Sequence, residues 1–140
     1  MPRPVPFAFP VAVRYLEVDQ QGVVFNMWYL AYFDDAFTAF LEAGGLPYAQ
    51  MLAEGYDVQL VHTELDWHGP LGFGEPAEIR VGLARVGSSS FEVQFEAHSE
   101  ARLVCHAATV YVVVRTDGSG PTPIPEPLRT ALGPLSPLRD

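Results

Sequence analysis

The stretch RYLEVDQQGVVFNMWYLAYFDDAFTAFLE, residues 14–42, determines the architecture of the chain. It reads as the end of a strand, a short loop that contains Asp19 and Gly22, and then a long helix. Most side chains of that helix are apolar or aromatic, and its charged residues are Asp34, Asp35 and Glu42. Because a helix that is apolar around most of its circumference is buried, the sequence predicts one central helix inside the core.

The loop before this helix is the candidate chemical centre. Asp19 lies close to the helix N-terminus, where unpaired backbone N–H groups and the positive end of the helix dipole favour negative charge. Such an end can also hold an oxyanion that forms during a reaction. Aspartate is equally common as a turn or helix-start residue, so the residues alone leave a catalytic and a structural role open.

The composition restricts the possible partners and compartments. The net charge is −9, and the eight basic residues are scattered arginines. Nucleic acids and anionic membranes are bound by clustered positive charge, so neither is an expected partner. One cysteine excludes an internal disulfide, and no apolar run reaches the ~18 residues of a membrane span. We therefore expect a cytoplasmic protein without membrane insertion.

The rest of the chain is typical of antiparallel strands joined by short loops. Strands are predicted over residues 7–15, 57–68, 77–86, 91–99 and 103–115. One long helix and such a meander bury both hydrophobic faces when the sheet curls around the helix, which predicts an α+β fold of about five strands. Residues 1–140 are predicted to form a single domain with proline-rich termini at 1–6 and 121–140, the latter with a helical turn at 128–132.

Several motifs resemble those of hotdog-fold acyl-CoA thioesterases of the 4-hydroxybenzoyl-CoA and tol-pal-associated type. The main one is Asp19-x-x-Gly22-Val-Val-x-x-x-x-Tyr29, followed by an acid at Asp34. Further similarities are the Pro70-x-x-x-Gly74-Glu75 turn, the Gly87–Ser90 hairpin and the Ile124–Leu128 stretch. Together they cover most of the chain, and the loop around Asp19 is the most specific of them.

The resemblance implies a hotdog domain that hydrolyses an acyl- or aryl-CoA thioester to free acid and CoA. It implies that Asp19 is the catalytic carboxylate, as nucleophile or as general base for water. It also implies that the backbone N–H of Asn26 polarises the carbonyl and that Gly22 lets the loop approach the substrate. No cofactor is expected, since CoA is part of the substrate. A homodimer or homotetramer with the active site between subunits is implied as well.

Four residues of the helix are candidates for substrate binding. Trp28, Tyr29 and Tyr32 are candidates to line an acyl tunnel, and core packing is the alternative role for each of them. Asp34 is a candidate for the mouth of the site or a neighbouring subunit, because an acid occupies this place in the family. Its alternative role is in a solvated stripe with Thr38 and Glu42, which follow at intervals of four residues.

The hairpin at residues 87–90 is a second candidate for substrate binding. Ser89 and Ser90 are candidate CoA contacts, because this neighbourhood lies near bound coenzyme A in the family. An ordinary turn is the alternative interpretation. Arg85 and Arg102 are the nearest basic candidates for the CoA phosphates, and nothing in their spacing selects one of them.

Two other chemistries find less support in the sequence. His62, Glu64, Asp66 and His68 alternate along one strand, and ~6–7 Å separates successive members, so no more than two can share one metal ion. We therefore expect no metal site. Cys105 and His106 are adjacent on a strand and point to opposite faces, so they cannot form a dyad.

Two alternatives to a thioesterase remain. A non-catalytic domain that binds acyl thioesters would keep the pocket without turnover. A hotdog hydratase or dehydratase would need a histidine paired with an acid near the central helix. None of the four histidines lies in residues 14–42, which weighs against it.

Overall fold

The computed structural model describes residues 3–140, so part of the predicted N-terminal segment 1–6 lies outside the described residues. A 3₁₀ turn at Tyr15–Glu17 follows the first strand. The strands and helices, in chain order, are β1 (Phe7–Ala12), α1 (Trp28–Ala43), α2 (Tyr48–Ala53), β2 (Tyr56–Trp67), β3 (Pro76–Val86), β4 (Ser90–Ser99), β5 (Arg102–Arg115) and α3 (Glu126–Leu132). α3 confirms and extends the helical turn predicted in the C-terminal segment.

The five strands form one antiparallel sheet in the order β1-β3-β4-β5-β2. This sheet with one long helix confirms the predicted α+β class and strand number. The order leaves β2 at an edge of the sheet. Along β2, Thr63 and Leu65 are half-buried, while Val61, at a register shift, and Trp67, at the strand end, are exposed.

The first strand is shorter than predicted. It ends at Ala12, although the sequence suggested an extended segment to residue 15. The chain turns because the backbone N–H of Glu17 donates to the carbonyl of Arg14 (2.9 Å). The Glu17 carboxylate also accepts a hydrogen bond from the backbone N–H of Arg14 (2.9 Å). These local bonds replace ladder bonds that a longer β1 would make.

Helix α1 packs one face against the sheet, as its composition predicts. Phe33 stacks on Phe95 with ring centroids 5.1 Å apart, and Phe37 stacks on Tyr111 at 4.5 Å. The inward residues of β4 are at most 1% exposed: Phe91, Val93, Phe95 and Ala97. One stripe of α1 is exposed: Asp34, Thr38 and Glu42. Within residues 3–140 no helix is both long and apolar enough to cross a membrane.

The C-terminal segment after α3 covers part of the outer face of the sheet. The side chain of Gln94 accepts hydrogen bonds from the backbone N–H groups of Leu138 (2.7 Å) and Arg139 (3.1 Å). Gln94 is therefore buried, although its position in the β4 alternation predicts an exposed side chain. At Gly82 the segment passes so close that a Cβ atom would lie 2.2 Å from the carbonyl oxygen of Ser136.

Candidate active site

The loop that contains Asp19 is a tight, hydrogen-bonded turn. The N–H of Gly22 donates to the carbonyl of Asp19, and the N–H of Asp19 donates to the carbonyl of Val23, both at 2.9 Å. Gly22 has φ +77°, which favours glycine. Carboxylate oxygen Oδ1 of Asp19 accepts the N–H of Gln21 (2.8 Å). Within residues 3–140 no hydrogen bond engages the other oxygen, Oδ2, so it is available for a reacting group.

A buried carboxylate that the sequence did not single out supports this turn. Glu17 is 3% exposed and accepts a hydrogen bond from the hydroxyl of Tyr32 (2.7 Å) on α1. The guanidinium of Arg14 also contacts this carboxylate, and it lies over the ring of Trp28 at 5.9 Å. Burial raises the pKa of Glu17, but the hydrogen bonds from Arg14 and Tyr32 outweigh it and hold the pKa below its ordinary value.

A second loop, residues 68–75, is bonded to the turn. The N–H of Val24 donates to the carbonyl of Leu71 (2.8 Å), and the N–H of Phe73 donates to the carbonyl of Gly22 (3.3 Å). The acid of the Pro70-x-x-x-Gly74-Glu75 motif holds this loop in shape. Glu75 accepts hydrogen bonds from Gly72 N–H (3.0 Å), Ser99 Oγ (3.1 Å) and Arg102 Nη2 (2.8 Å). These bonds lower the pKa of Glu75.

An open cavity of about 350 Å³ lies between the two loops at the start of α1. Its lining residues are Val23, Val24, Asn26, Tyr29, Trp67, His68, Gly69 and Pro70. No side chain caps the helix N-terminus, and in the described chain the N–H of Asn26 donates to no backbone carbonyl. This N–H group can therefore bind an oxygen in the cavity. Burial raises the pKa of Tyr29 to about 12, so its hydroxyl stays protonated.

The structure brings some predicted site residues together and separates others. Gly22 and Asp19 belong to the turn that ends at the cavity residue Val23, but Asp19 itself does not line the cavity. Trp28 lies against Arg14 and does not line it either. Ser89 and Ser90 lie at the opposite end of the sheet. Ser90 pairs with residue 112 of β5, whereas the cavity residue Trp67 pairs with residue 105, about 23 Å away along the strand.

Asp34 belongs to a second cavity, of about 420 Å³. It lies eight residues beyond Asn26, which is about 12 Å along a helix. The lining is mostly apolar and comes from α1, α2, β2 and β5. At its rim the hydroxyl of Tyr48 donates to Asp57 Oδ2 (2.8 Å). Burial, together with the charge of Asp35, raises the pKa of Asp34.

The histidine side chains contact carboxylates or one another. His62 lies 3.2 Å from Glu64, on exposed surface. Within residues 3–140 no three His, Cys, Asp or Glu side chains converge to hold a metal ion. Cys105 is fully buried, with its pKa raised to about 12 by burial, while His106 lies on the other face of β5, as predicted. His68, however, lines the cavity at the start of α1, so the histidine absent from residues 14–42 is supplied by a distant part of the chain.

Comparison with known proteins assigns the family. The model of the thioesterase-like superfamily matches residues 13–132. The chain belongs to the thioesterase-like superfamily. Among curated members of this superfamily, it is 25% identical over 125 residues to the 1,4-dihydroxy-2-naphthoyl-CoA hydrolase of Synechococcus elongatus, covering 88% of this chain and 92% of that protein.

Two solved structures illustrate the fold that this chain shares with known proteins. A hypothetical protein from Thermus thermophilus has a TM-score of 0.84 and 33% identity, covering 89% of this chain and 95% of that one. The 1,4-dihydroxy-2-naphthoyl-CoA thioesterase from Synechocystis has a TM-score of 0.82 at 22% identity, covering 90% and 94%. At that identity the second likeness establishes the hotdog fold alone.

Proposed function

We propose that this thioesterase-like protein hydrolyses the thioester bond of an acyl- or aryl-CoA and releases the free acid and CoA. The observation that carries the proposal is the free Asp19 Oδ2 on a turn that leads directly to the unpaired N–H of Asn26. The name of the Synechococcus elongatus relative, a 1,4-dihydroxy-2-naphthoyl-CoA hydrolase, supports the same chemistry.

The two groups have complementary tasks in this reaction. The thioester carbonyl oxygen accepts a hydrogen bond from the N–H of Asn26. This bond stabilises the negative charge that develops on the oxygen, and one such donor typically contributes a factor of ~10²–10³ in rate. Asp19 either attacks the carbonyl carbon or removes a proton from the attacking water. The C–S bond then breaks and CoA leaves as the thiol after protonation. Neither role requires a cofactor.

A second copy of the chain would complete the site. β2 is an edge strand with exposed apolar side chains, Leu60, Val61 and Trp67, and such edges tend to pair with another strand. Antiparallel pairing of two β2 strands about a two-fold axis would bring the hairpin end of one protomer beside the α1 start of the other. This arrangement accounts for the ~23 Å that separates Ser89 and Ser90 from the cavity within one chain. We therefore propose a homodimer, or a homotetramer built from it.

Arg85 is the better candidate for the CoA phosphates. The guanidinium of Arg102 is already engaged by Glu75 and by the carbonyl of Pro70 (2.7 Å). Arg85 lies beside the hairpin, and in the described chain it forms no ion pair. Its charge is therefore available to a phosphate group of the substrate. A free, buried Cys105 is consistent with the proposed cytoplasmic location.

Free-thiol release from a panel of aliphatic and aromatic CoA esters tests the activity. The proposal expects thiol release from at least one ester class. Binding of the CoA esters without thiol release would instead support the binding-domain alternative. Water addition to an enoyl-CoA without thiol release would support the hydratase alternative, for which the position of His68 is the favouring observation.

A mixed-dimer experiment tests whether the site is shared. Asp19→Asn and Arg85→Glu variants are refolded together and assayed at low substrate concentration. If Asp19 and Arg85 of one site come from different protomers, about half the dimers carry one intact site, and about a quarter of the wild-type rate returns. If both come from the same protomer, mixing restores nothing, and the shared site is wrong.

A further inference from the structure

Three side chains, joined by one hydrogen bond and one ion pair, form a chain that ends in the cavity at the start of α1. Asp66 Oδ2 lies 3.1 Å from His106 Nε2, and His106 Nδ1 lies 2.7 Å from His68 Nε2. The two imidazole rings also stack, with centroids 4.9 Å apart. The backbone N–H of His68 donates to the carbonyl of Val104 (2.8 Å), which fixes the residue next to β5.

These two contacts determine where the protons lie. The negative charge of Asp66 Oδ2, 3.1 Å away, favours a proton on His106 Nε2 over a lone pair. Burial lowers the pKa of His106, which keeps it neutral and leaves its Nδ1 as an acceptor. His68 must then donate from Nε2, so the Nδ1 of neutral His68 carries no proton and is a base.

We propose that His68 is a second catalytic residue of this site, the general base for water, with His106 and Asp66 as positioning residues. The inference rests on the proposed thioesterase activity and gives Asp19 the role of nucleophile. The carrying observation is that one histidine both lines the cavity of Asn26 and ends a carboxylate–imidazole chain that leaves its Nδ1 unprotonated.

The steps balance in atoms and protons. Asp19 Oδ2 attacks the thioester carbon, the C–S bond breaks, and CoA leaves as a thiolate, so the acyl group is bound to Asp19 as an anhydride. Nδ1 of His68 then takes a proton from water while the water oxygen bonds to the acyl carbon and the Asp19 carboxylate is expelled. The imidazolium passes its proton to the thiolate, which yields free acid, CoA thiol and the original enzyme.

Charged groups from several elements surround this relay. Those facing His106 are Asp66 on β2, Glu96 on β4 and Arg139 in the C-terminal segment. Near the second loop, the guanidinium of Arg102 lies 3.4 Å from the position of a Cβ at Gly69. Tyr29 faces the cavity from α1 as a neutral phenol. None of these groups replaces His68 as a base, since each is a positive charge, a neutral donor or bound elsewhere.

The test compares pre-steady-state thiol release by wild type, His68→Gln and His62→Gln. His62 is the matched control, because it lies on β2, the strand that leads to His68, in an exposed pair with Glu64. The His68→Gln variant is expected to release about one thiol per site in a burst and then turn over ~10²-fold more slowly, with the acyl mass detectable on Asp19. His62→Gln should match wild type.

Two outcomes would overturn the proposal. One is a His68→Gln variant that turns over at the wild-type rate or that slows without a burst. The other is a nitrogen-15 spectrum of the wild type at pH 8 in which Nδ1 of neutral His68 carries the proton. His106→Phe keeps an aromatic ring but removes the hydrogen bond, so the His68 tautomer should become mixed. The spectra need no turnover, so they test the relay even if the wild type releases no thiol. Absence of thiol release by the wild type would contradict the proposed thioesterase activity itself.

Discussion

Replacing Tyr32 by phenylalanine tests how the catalytic turn is held. Tyr32 is 5% exposed, and its hydroxyl donates to the buried carboxylate of Glu17 at 2.7 Å. Removing the hydroxyl takes one hydrogen-bond donor away from the buried, charged carboxylate of Glu17. A hydrogen bond to a charged group typically contributes about 1.5–3 kcal/mol. We therefore expect Tyr32→Phe to lower the free energy of unfolding by about 2 kcal/mol at pH 7, or the melting temperature by roughly 7 °C.

The size of this effect should depend on pH. The pKa of Glu17 lies below its ordinary value in the folded protein. A depressed carboxyl pKa stabilises the folded state above the unfolded pKa, and this contribution is lost as pH falls through the folded pKa. Once Glu17 is protonated, the lost bond is between neutral groups, worth about 1 kcal/mol. The difference between wild type and Tyr32→Phe should therefore shrink as the pH falls below the ordinary glutamate range.

Tyr56→Phe is the matched control. Tyr56 is also 5% exposed, but among residues 3–140 its hydroxyl has no hydrogen-bond partner. Removing it should leave the free energy of unfolding unchanged or raise it by up to about 1 kcal/mol. Urea unfolding of both variants at several pH values makes the comparison. Equal effects of the two substitutions, or a Tyr32→Phe effect that does not vary with pH, would refute this account of Glu17.

Three further substitutions test other parts of the account. Gly22→Ala should lower the free energy of unfolding by about 1–2 kcal/mol and lower kcat, because φ is +77° there even though a Cβ has open space. Gly22→Asn should recover part of the lost stability and part of the lost kcat. A fully active, equally stable alanine variant would contradict the turn geometry. Gly82→Ala should displace the C-terminal segment from the sheet and speed its limited proteolysis, since a Cβ would collide with the Ser136 carbonyl. Proteolysis at the wild-type rate would contradict this close approach. Arg85→Gln should raise KM for CoA esters several-fold without changing kcat, whereas an unchanged KM would remove Arg85 from the site.

Local sequence patterns predicted the framework of the fold. The apolar face of α1 and the alternation of Phe91 and Phe95 in β4 follow from helix and strand periods, and the structure confirms both. The turn with Asp19 and Gly22 also follows from neighbouring residues, since its hydrogen bonds span at most four positions. Such features depend on short stretches of chain and can therefore be derived from them.

Features that depend on distant contacts could not be derived in this way. Glu17 is buried only because Tyr32, fifteen residues later, donates to it, and Arg14 is its sole local signal. Gln94 is covered by backbone groups 44 and 45 residues away. His68 reaches the start of α1 because residues 22–24 bond to residues 71–73. Nothing in the spacing of the histidines indicates this pairing of loops, so the His68 relay required the structure.

The most direct test of the central claim is the thiol-release rate of Asp19→Asn compared with Asp35→Asn. Both substitutions remove one negative charge without changing side-chain size, and Asp35 is exposed on α1, away from the turn. The account predicts that Asp19→Asn, folded and still able to bind CoA esters, loses at least ~10²-fold in kcat, whereas Asp35→Asn keeps the wild-type rate. An Asp19→Asn variant with wild-type kcat would contradict the assignment of Asp19 as the catalytic carboxylate.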